Sequence, residues 1–148
     1  MQMKFLFSRC LPVVALLLFV TGCTKQWFLS VENSPENRPV FCFSMQSNCA
    51  GDAVQFASIV ISEVDPAGNI TGVVWSIQGA SNQSEDYQVK KLTYGVVPTG
   101  WREDVVPQQL RVGVSYTAMG NFFFRLSSAG KYEVLSREQF FAKLKKKE

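Results

Sequence analysis

The feature that most limits the fold of this chain is a series of short runs rich in Val, Ile, Phe, Tyr and Trp. These runs alternate with Gly, Pro, Asn and Ser, which is typical of an all-β domain, and helical spacing is scarce. The pattern predicts strands near residues 27–31, 39–44, 54–64, 70–77, 87–94, 112–119, 122–127 and 132–135.

Two of the intervening segments predict hairpin turns. Residues 65–69 read Asp-Pro-Ala-Gly-Asn and residues 128–130 read Ser-Ala-Gly. Pro presets a turn φ, and Gly or Asn accepts a positive φ. The run at 54–64 is apolar on both alternating faces, so the pattern leaves open which face is the core.

The spacing of Leu110, Gly113 and Tyr116 resembles the L-x-x-G-x-x-Y tyrosine corner of Greek-key sandwiches. In that motif the Tyr hydroxyl bonds backward to the loop that crosses between sheets. Trp75 would then be a core tryptophan on an early strand. We therefore predict an immunoglobulin-like or fibronectin-like antiparallel β-sandwich, with a small β-barrel as the alternative.

The amino end has the layout of a secretory signal, because Lys4 and Arg9 precede an apolar run at 11–20. This run is short for a transmembrane helix, which is therefore the less favoured interpretation. Residues 20–23, Val-Thr-Gly-Cys, resemble the lipobox of bacterial lipoproteins. The resemblance predicts that residues 1–22 are a lipoprotein signal peptide cleaved before Cys23; the alternative is a chance cysteine beside an uncleaved anchor.

Lipobox processing implies a diacylglyceryl thioether on Cys23 and a further acyl chain, such as palmitate, on the new amino group. Two or three chains anchor a protein stably on a membrane. Thr24, rather than Asp, follows the cysteine, which favours the inner leaflet of the outer membrane, facing the periplasm. Residues 23–26 would form a lipidated tether, and residues 27–135 the β-sandwich.

Cys42 and Cys49 are the pair that remains after Cys10 leaves with the leader and Cys23 takes the lipid. The periplasm is oxidising, so we expect a disulfide that contributes about 2 to 3 kcal/mol. The alternative is two small, buried, reduced side chains.

The chain has no histidine, which rules out Ser-His-Asp and Cys-His mechanisms and histidine metal sites. No glycine-rich phosphate loop is present. With 15 Lys and Arg against 12 Asp and Glu, and several of the bases in the last residues, a nucleic-acid footprint is not evident. We expect no enzyme activity, cofactor or metal.

Five carboxylates in polar, turn-like surroundings are expected to be solvated: Asp65, Glu85, Asp86, Glu103 and Asp104.

Residues 136–148 are interpreted either as a short helix or as a basic, solvated tail. Residues 136–139, Ser-Arg-Glu-Gln, have the S-x-x-Q form of a capping box. Phe140, Phe141 and Leu144 could share one helix face, and the lysines that follow suit the carboxyl end of a helix or anionic lipid head groups.

Several segments occur in one order that carries a family resemblance: Cys23, residues 39–43, residues 74–77, residues 92–101, and Leu110 with Gly113 and Tyr116. This order resembles the type VI secretion system immunity periplasmic lipoproteins. The resemblance covers most of the mature chain, and Tyr-Gly-x-x-Pro-x-Gly at 94–100 is its most specific part. It implies a binder that protects its own cell from a toxin delivered into the periplasm.

Tyr94, Trp101 and Arg102 are the candidate partner-binding residues, because aromatic and Arg side chains are enriched at binding hot spots. The alternative is that Tyr94 and Trp101 close the end of the core. A second functional hypothesis is a structural or accessory envelope lipoprotein in outer-membrane or secretion-machine assembly, which would use the same anchor and sandwich.

Overall fold

The computed structural model describes residues 28–44, 52–79 and 88–142. The predicted signal peptide, Cys23, residues 24–26, Cys49, Glu85, Asp86 and the chain beyond Ala142 lie outside these residues. Among the described residues, no helix has the length and apolarity needed to cross a membrane.

The described residues form two main antiparallel sheets and one short pair of strands that are distant in sequence. The elements are β1 (Phe28–Asn33), β2 (Pro39–Ser44), β3 (Val54–Gln55), β4 (Ser58–Val64), β5 (Ile70–Gly79), β6 (Gln88–Val89), β7 (Lys91–Thr93), β8 (Trp101–Val105), β9 (Ser115–Ala118), β10 (Phe122–Leu126), β11 (Tyr132–Leu135) and α1 (Arg137–Ala142).

The first sheet has the order β1-β2-β7 and the second has the order β11-β10-β9-β4-β5-β8, while β3 pairs with β6. All ladder pairings are antiparallel. The sheets are not closed into a barrel, so the predicted all-β sandwich is confirmed and the barrel alternative is wrong.

Aromatic side chains from both sheets meet in the core. Phe41 of β2 contacts Phe124 of β10 edge-to-face with ring centroids 5.2 Å apart, and both rings are fully buried. Trp75 of β5 is also fully buried and packs edge-to-face on Tyr94 at 5.1 Å. Such contacts add about 0.5–1.5 kcal/mol per pair to the energy of burial.

The edges of the two sheets meet at one side of the sandwich, where β1 contacts β11. The backbone amide of Tyr132 donates a 2.8 Å hydrogen bond to Asn33 Oδ1. The Tyr132 hydroxyl donates to the carbonyl of Asn37 at 3.1 Å. A single tyrosine therefore fastens the β1–β2 hairpin to the second sheet.

The predicted strand boundaries need three corrections. The run at 54–64 divides into β3 and β4, and the run at 87–94 divides into β6 and β7. The predicted strand at 112–119 is confined to β9, although Val112 makes an isolated bridge to Leu126. The divisions between β3 and β4 and between β6 and β7 fall where the strand partners change.

A further correction concerns Glu103 and Asp104, which were expected in a solvated loop. Both lie on β8, an edge strand that pairs with β5. Their exposed side chains remove the alternation of buried and exposed residues by which a strand is detected from sequence.

A second apolar cluster covers the outer face of the larger sheet. The ring of Phe140 in α1 stacks on Phe123 of β10, with centroids 4.4 Å apart and an interplanar angle of 15°. Val64 completes the buried part of this cluster. Helix α1 begins with reciprocal capping bonds, from the Ser136 amide to Gln139 Oε1 at 2.9 Å and from the Gln139 amide to Ser136 Oγ at 3.1 Å.

Candidate binding site at the crossover end

The candidate site is built around residues 106–114, which connect β8 to β9. Strand β8 lies beside β5, whereas β9 lies beside β4, so this connection crosses the end of the β4–β5 hairpin. We call residues 106–114 the crossover. A loop of this kind holds a fixed shape only where its backbone groups find partners.

Tyr116 fixes the second half of the crossover. Its hydroxyl accepts a 2.8 Å hydrogen bond from the backbone amide of Arg111, which is the backward bond of a tyrosine corner. Gly113 lies between them with φ of 78°, a value that glycine adopts at no steric cost. Leu110 is buried in the core. The crossover is therefore anchored by a hydroxyl on one side and an apolar side chain on the other.

Tyr94 fixes the first half. Its hydroxyl lies 2.8 Å from the carbonyl oxygen of Gln108 and 3.1 Å from that of Val74, and the Gln108 amide donates to the Val74 carbonyl at 2.9 Å. Burial raises the pKa of the Tyr94 hydroxyl far above its ordinary value. The hydroxyl thus stays protonated, as a donor shared by the two carbonyls.

An ion pair attaches the crossover to β4. Arg111 Nη2 lies 2.6 Å from Glu63 Oε2, and this bond raises the pKa of the Arg111 guanidinium. Glu63 is the register partner of Tyr116. The same short stretch of sheet therefore binds Arg111 through both its backbone and its side chain.

The β1–β2 turn forms the opposite wall of the site. The Ser34 amide donates to the Arg38 carbonyl at 3.1 Å, and Ser34 Oγ accepts the Arg38 amide at 3.0 Å. Asn37 has φ of 56°, a left-handed conformation that Asn tolerates better than most residues. Tyr132 holds the carbonyl of this residue, so the position of Arg38 is set from within the turn and from β11.

A cavity of about 780 Å³ lies between these walls, within the usual size range for ligand sites. Its floor is apolar, with Leu110 and Leu126 among the lining residues. Two guanidinium groups, of Arg38 and Arg111, line it, and none of the described lining residues is acidic. The cavity therefore favours a ligand that combines apolar groups with negative charge.

Three exposed valines line the cavity or lie next in sequence to residues that line it, and we call Val96, Val106 and Val112 the valine rim. Val112 lines the cavity directly, Val106 precedes a lining proline, and Val96 follows a lining glycine. Their exposed fractions are 58%, 71% and 48%, respectively. The two lining residues beside Val96 and Val106, which are Gly95 and Pro107, lie close together, because a Cβ built on Gly95 would lie 3.2 Å from the Pro107 side chain. An apolar rim around a charged cavity is typical of an interaction surface.

A second cavity of about 550 Å³ lies on the outer face of the larger sheet, beside α1. Glu63, Asp65 and Arg125 line it. Arg125 is paired with Glu133 at 2.9 Å, and hydrogen bonds from Asn69 lower the pKa of Asp65. These charged groups already have partners within the protein. The second cavity therefore has fewer charged groups available to bind a ligand than the first.

The three predicted partner-binding residues do not share one exposed surface. Tyr94 is buried, Trp101 packs half-buried against the core, and Arg102 is exposed. Arg102 follows Trp101 on β8 and therefore points to the other face. It lies 3.3 Å from Asp104 and 3.2 Å from Gln78. Only Tyr94 contributes to the cavity.

Sequence reasoning did not identify Arg38 or Tyr132 as site residues. Arg38 lies in a hairpin turn between two predicted strands, and Tyr132 begins the last strand. The tyrosine-corner motif was the available signal, because it marks the crossover and hence the end of the sandwich where the cavity forms.

Cys42 is buried and disulfide-bonded, and its expected partner, Cys49, lies outside the described residues. Within the described ranges, no cluster of three His, Cys, Asp or Glu side chains could hold a metal ion.

Comparisons of the chain with protein-family models, curated proteins and solved structures give no match.

Proposed function

We propose that this chain is a lipid-anchored periplasmic immunity protein, which binds and neutralises a toxin delivered by a type VI secretion system. The lipobox-like residues 20–23 support the anchor, and the order of sequence segments supports the immunity role. The observation that carries the proposal is the cavity at the crossover end, with its exposed apolar rim.

The rigidity of this end suits an inhibitor. Tyr94, Tyr116 and Tyr132 each bond a backbone group of a cavity wall through their hydroxyls. A surface that is ordered before binding loses less conformational entropy when the partner arrives. Attachment to the membrane adds to this advantage, since it confines the inhibitor to the compartment in which the toxin acts.

A competition assay tests the proposal without knowledge of the toxin. A strain that lacks this gene is mixed with an isogenic attacker that has an active type VI secretion system, or with the same attacker carrying an inactivated system. We expect survival of the deletion strain to fall only beside the active attacker, and the wild-type gene to restore it. The Cys23→Ala variant is expected to remain uncleaved and to protect less.

Equal survival beside both attackers would contradict the immunity role. The structural or accessory role in the envelope makes a different prediction in the same experiment. The deletion strain would then show increased sensitivity to detergent in monoculture, with no dependence on the attacker.

A further inference from the structure

Of the two arginines that line the cavity, Arg38 is the one without a close acidic partner among the described residues. Its nearest carboxylate there is Glu36, at 3.8 Å, and 48% and 74% of the two side chains are exposed. At this distance and exposure an ion pair contributes little. Arg111, by contrast, is matched by Glu63 at 2.6 Å. The unmet charge in the cavity therefore belongs to Arg38.

The Arg38 side chain is placed to act on a group inside the cavity. One of its terminal nitrogens, Nη1, would lie 3.8 Å from a Cβ built on Gly95, a lining residue that follows β7 in the same sheet as β2, so the guanidinium lies along the wall that the first sheet forms. Gln108 and Gln109, whose side chains carry neutral amide groups, line the crossover wall. A carboxylate that entered would meet the Arg38 guanidinium and, on the crossover, these glutamines and the guanidinium of Arg111 that is already paired with Glu63.

The surroundings of the cavity favour a protein over a small ion. Val112, which lines the cavity, is exposed, as are Val96 and Val106, each next in sequence to a lining residue. An inorganic anion would leave these apolar surfaces in water. A protein loop would cover them while its acidic side chain entered the cavity. Burial of that apolar surface favours binding.

We propose that the cavity receives an Asp or Glu side chain from a loop of the partner protein, which pairs with Arg38 while apolar neighbours in that loop cover the valine rim. This inference rests on the proposed function in that the partner is taken to be the neutralised toxin. Arg38 is then the specificity-determining residue, and Tyr132 positions it through the turn carbonyl of Asn37.

Selection from a random peptide library tests the inference with a defined probe. Phage-displayed dodecapeptides are selected on the full-length lipoprotein, purified in detergent. We expect the enriched peptides to contain Asp or Glu next to aliphatic or aromatic residues. The best peptide should bind Arg38→Ala at least about tenfold more weakly than wild type. Replacing its acidic residue with the corresponding amide should weaken binding to wild type by a similar factor.

Arg102 supplies the matched control. It is an exposed arginine, 62% exposed at the side chain, and it does not line the cavity. Arg102→Ala is expected to bind the peptide with wild-type affinity. Circular dichroism melting of both variants establishes that each is folded.

Three results would overturn the inference: no enrichment, enrichment without acidic residues, or binding that Arg38→Ala does not weaken more than Arg102→Ala does. The competition assay distinguishes this failure from failure of the immunity role. Protection of wild-type cells together with any of these peptide results would leave immunity intact and reject the cavity as the docking site. Acidic peptides that need Arg38, with no protection in competition, would reject immunity alone.

Discussion

The indole Nε1 of Trp75 donates a hydrogen bond to Glu103 Oε1 across 3.0 Å. Trp75 is fully buried in the core, and its indole N–H needs an acceptor there. The acceptor comes from β8, the edge strand that borders β5. The sequence predicts that Glu103 is a solvated surface charge, but its carboxylate accepts the hydrogen bond that the buried indole of Trp75 donates.

Glu103→Ala is expected to lower the free energy of unfolding by about 1–3 kcal/mol, because it leaves the indole N–H without its partner. Glu103→Gln retains an acceptor oxygen and should lose less. Asp104→Ala is the control, since the carboxylate of Asp104 pairs with exposed Arg102 among the described residues and should change stability by less than about 0.5 kcal/mol. Urea unfolding measures all three. Equal losses for the two alanine variants would show that the indole bond contributes nothing.

Alkaline pH should reveal the buried phenol of Tyr94. Its pKa is raised from an ordinary value of 10.0, so the folded state keeps a proton that the unfolded state loses. The stabilisation is fully present below pH 10 and decreases above it, by about 1.4 kcal/mol per pH unit.

The Tyr94→Phe variant isolates this contribution, because phenylalanine has no proton to lose. The free energy of unfolding of wild type should fall more steeply than that of the variant between pH 10 and 11.5, whatever their difference at pH 8. Parallel curves would mean that the Tyr94 hydroxyl ionises equally easily in both states.

Thr117→Val is expected to leave stability unchanged or to raise it by up to about 1 kcal/mol. Thr117 Oγ1 is buried and has no hydrogen-bond partner within the described residues, so removal of the hydroxyl relieves a desolvation penalty. Thr71→Val is the control, because Thr71 Oγ1 donates to the Glu63 carbonyl at 3.3 Å and should not gain. A thermal unfolding series compares the two. A loss above 1 kcal/mol for Thr117→Val would contradict the unpaired hydroxyl.

Gly68→Ala is expected to destabilise the fold by more than about 1 kcal/mol. Gly68 has φ of 89°, and a Cβ at this position would lie 2.9 Å from the Phe141 ring, so the substitution strains the turn and displaces α1. Gly72→Ala is the matched control, because a Cβ there meets no atom within 4 Å, and it should be neutral or slightly stabilising. Equal melting temperatures for the two variants would refute the packing of α1 on the turn.

Local chemistry explains which parts of the fold could be predicted from the sequence. The turns at 65–69 and 128–130 contain Gly68 and Gly130 at positive φ, as their residue types required. The Ser136 and Gln139 side chains make the two capping bonds of the S-x-x-Q motif. Each of these features depends on a few adjacent residues, so the sequence contains the whole signal.

Features that depend on distant contacts could not be predicted in the same way. Strand β8 is defined by its pairing with β5. Its consecutive charged residues lack the alternation of apolar and polar residues that predicts a strand from sequence. In the run at 54–64, Ile59 and Ile61 are buried, but Phe56 and Ser62 are buried as well. A register shift between Ile61 and Ser62 interrupts the regular alternation there.

The candidate site shows the same limit. The aromatic and Arg cluster at 94–102 was compact in sequence, yet only Tyr94 of its three candidate residues reaches the cavity. Arg38, Arg111 and Tyr132 come from three separate segments and meet only after both sheets and the crossover have formed. Proximity in sequence was therefore a poor guide to proximity in the folded molecule.

The bond between the Tyr132 amide and Asn33 Oδ1 has a consequence for self-association. An unprotected strand edge offers free peptide groups to neighbouring molecules and promotes aggregation. At the β1–β11 junction, the side-chain oxygen of Asn33 accepts the backbone N–H of Tyr132. The two edge strands also contact each other, so each covers part of the other's edge. This arrangement leaves less free strand edge at which copies of the protein could add strands to one another.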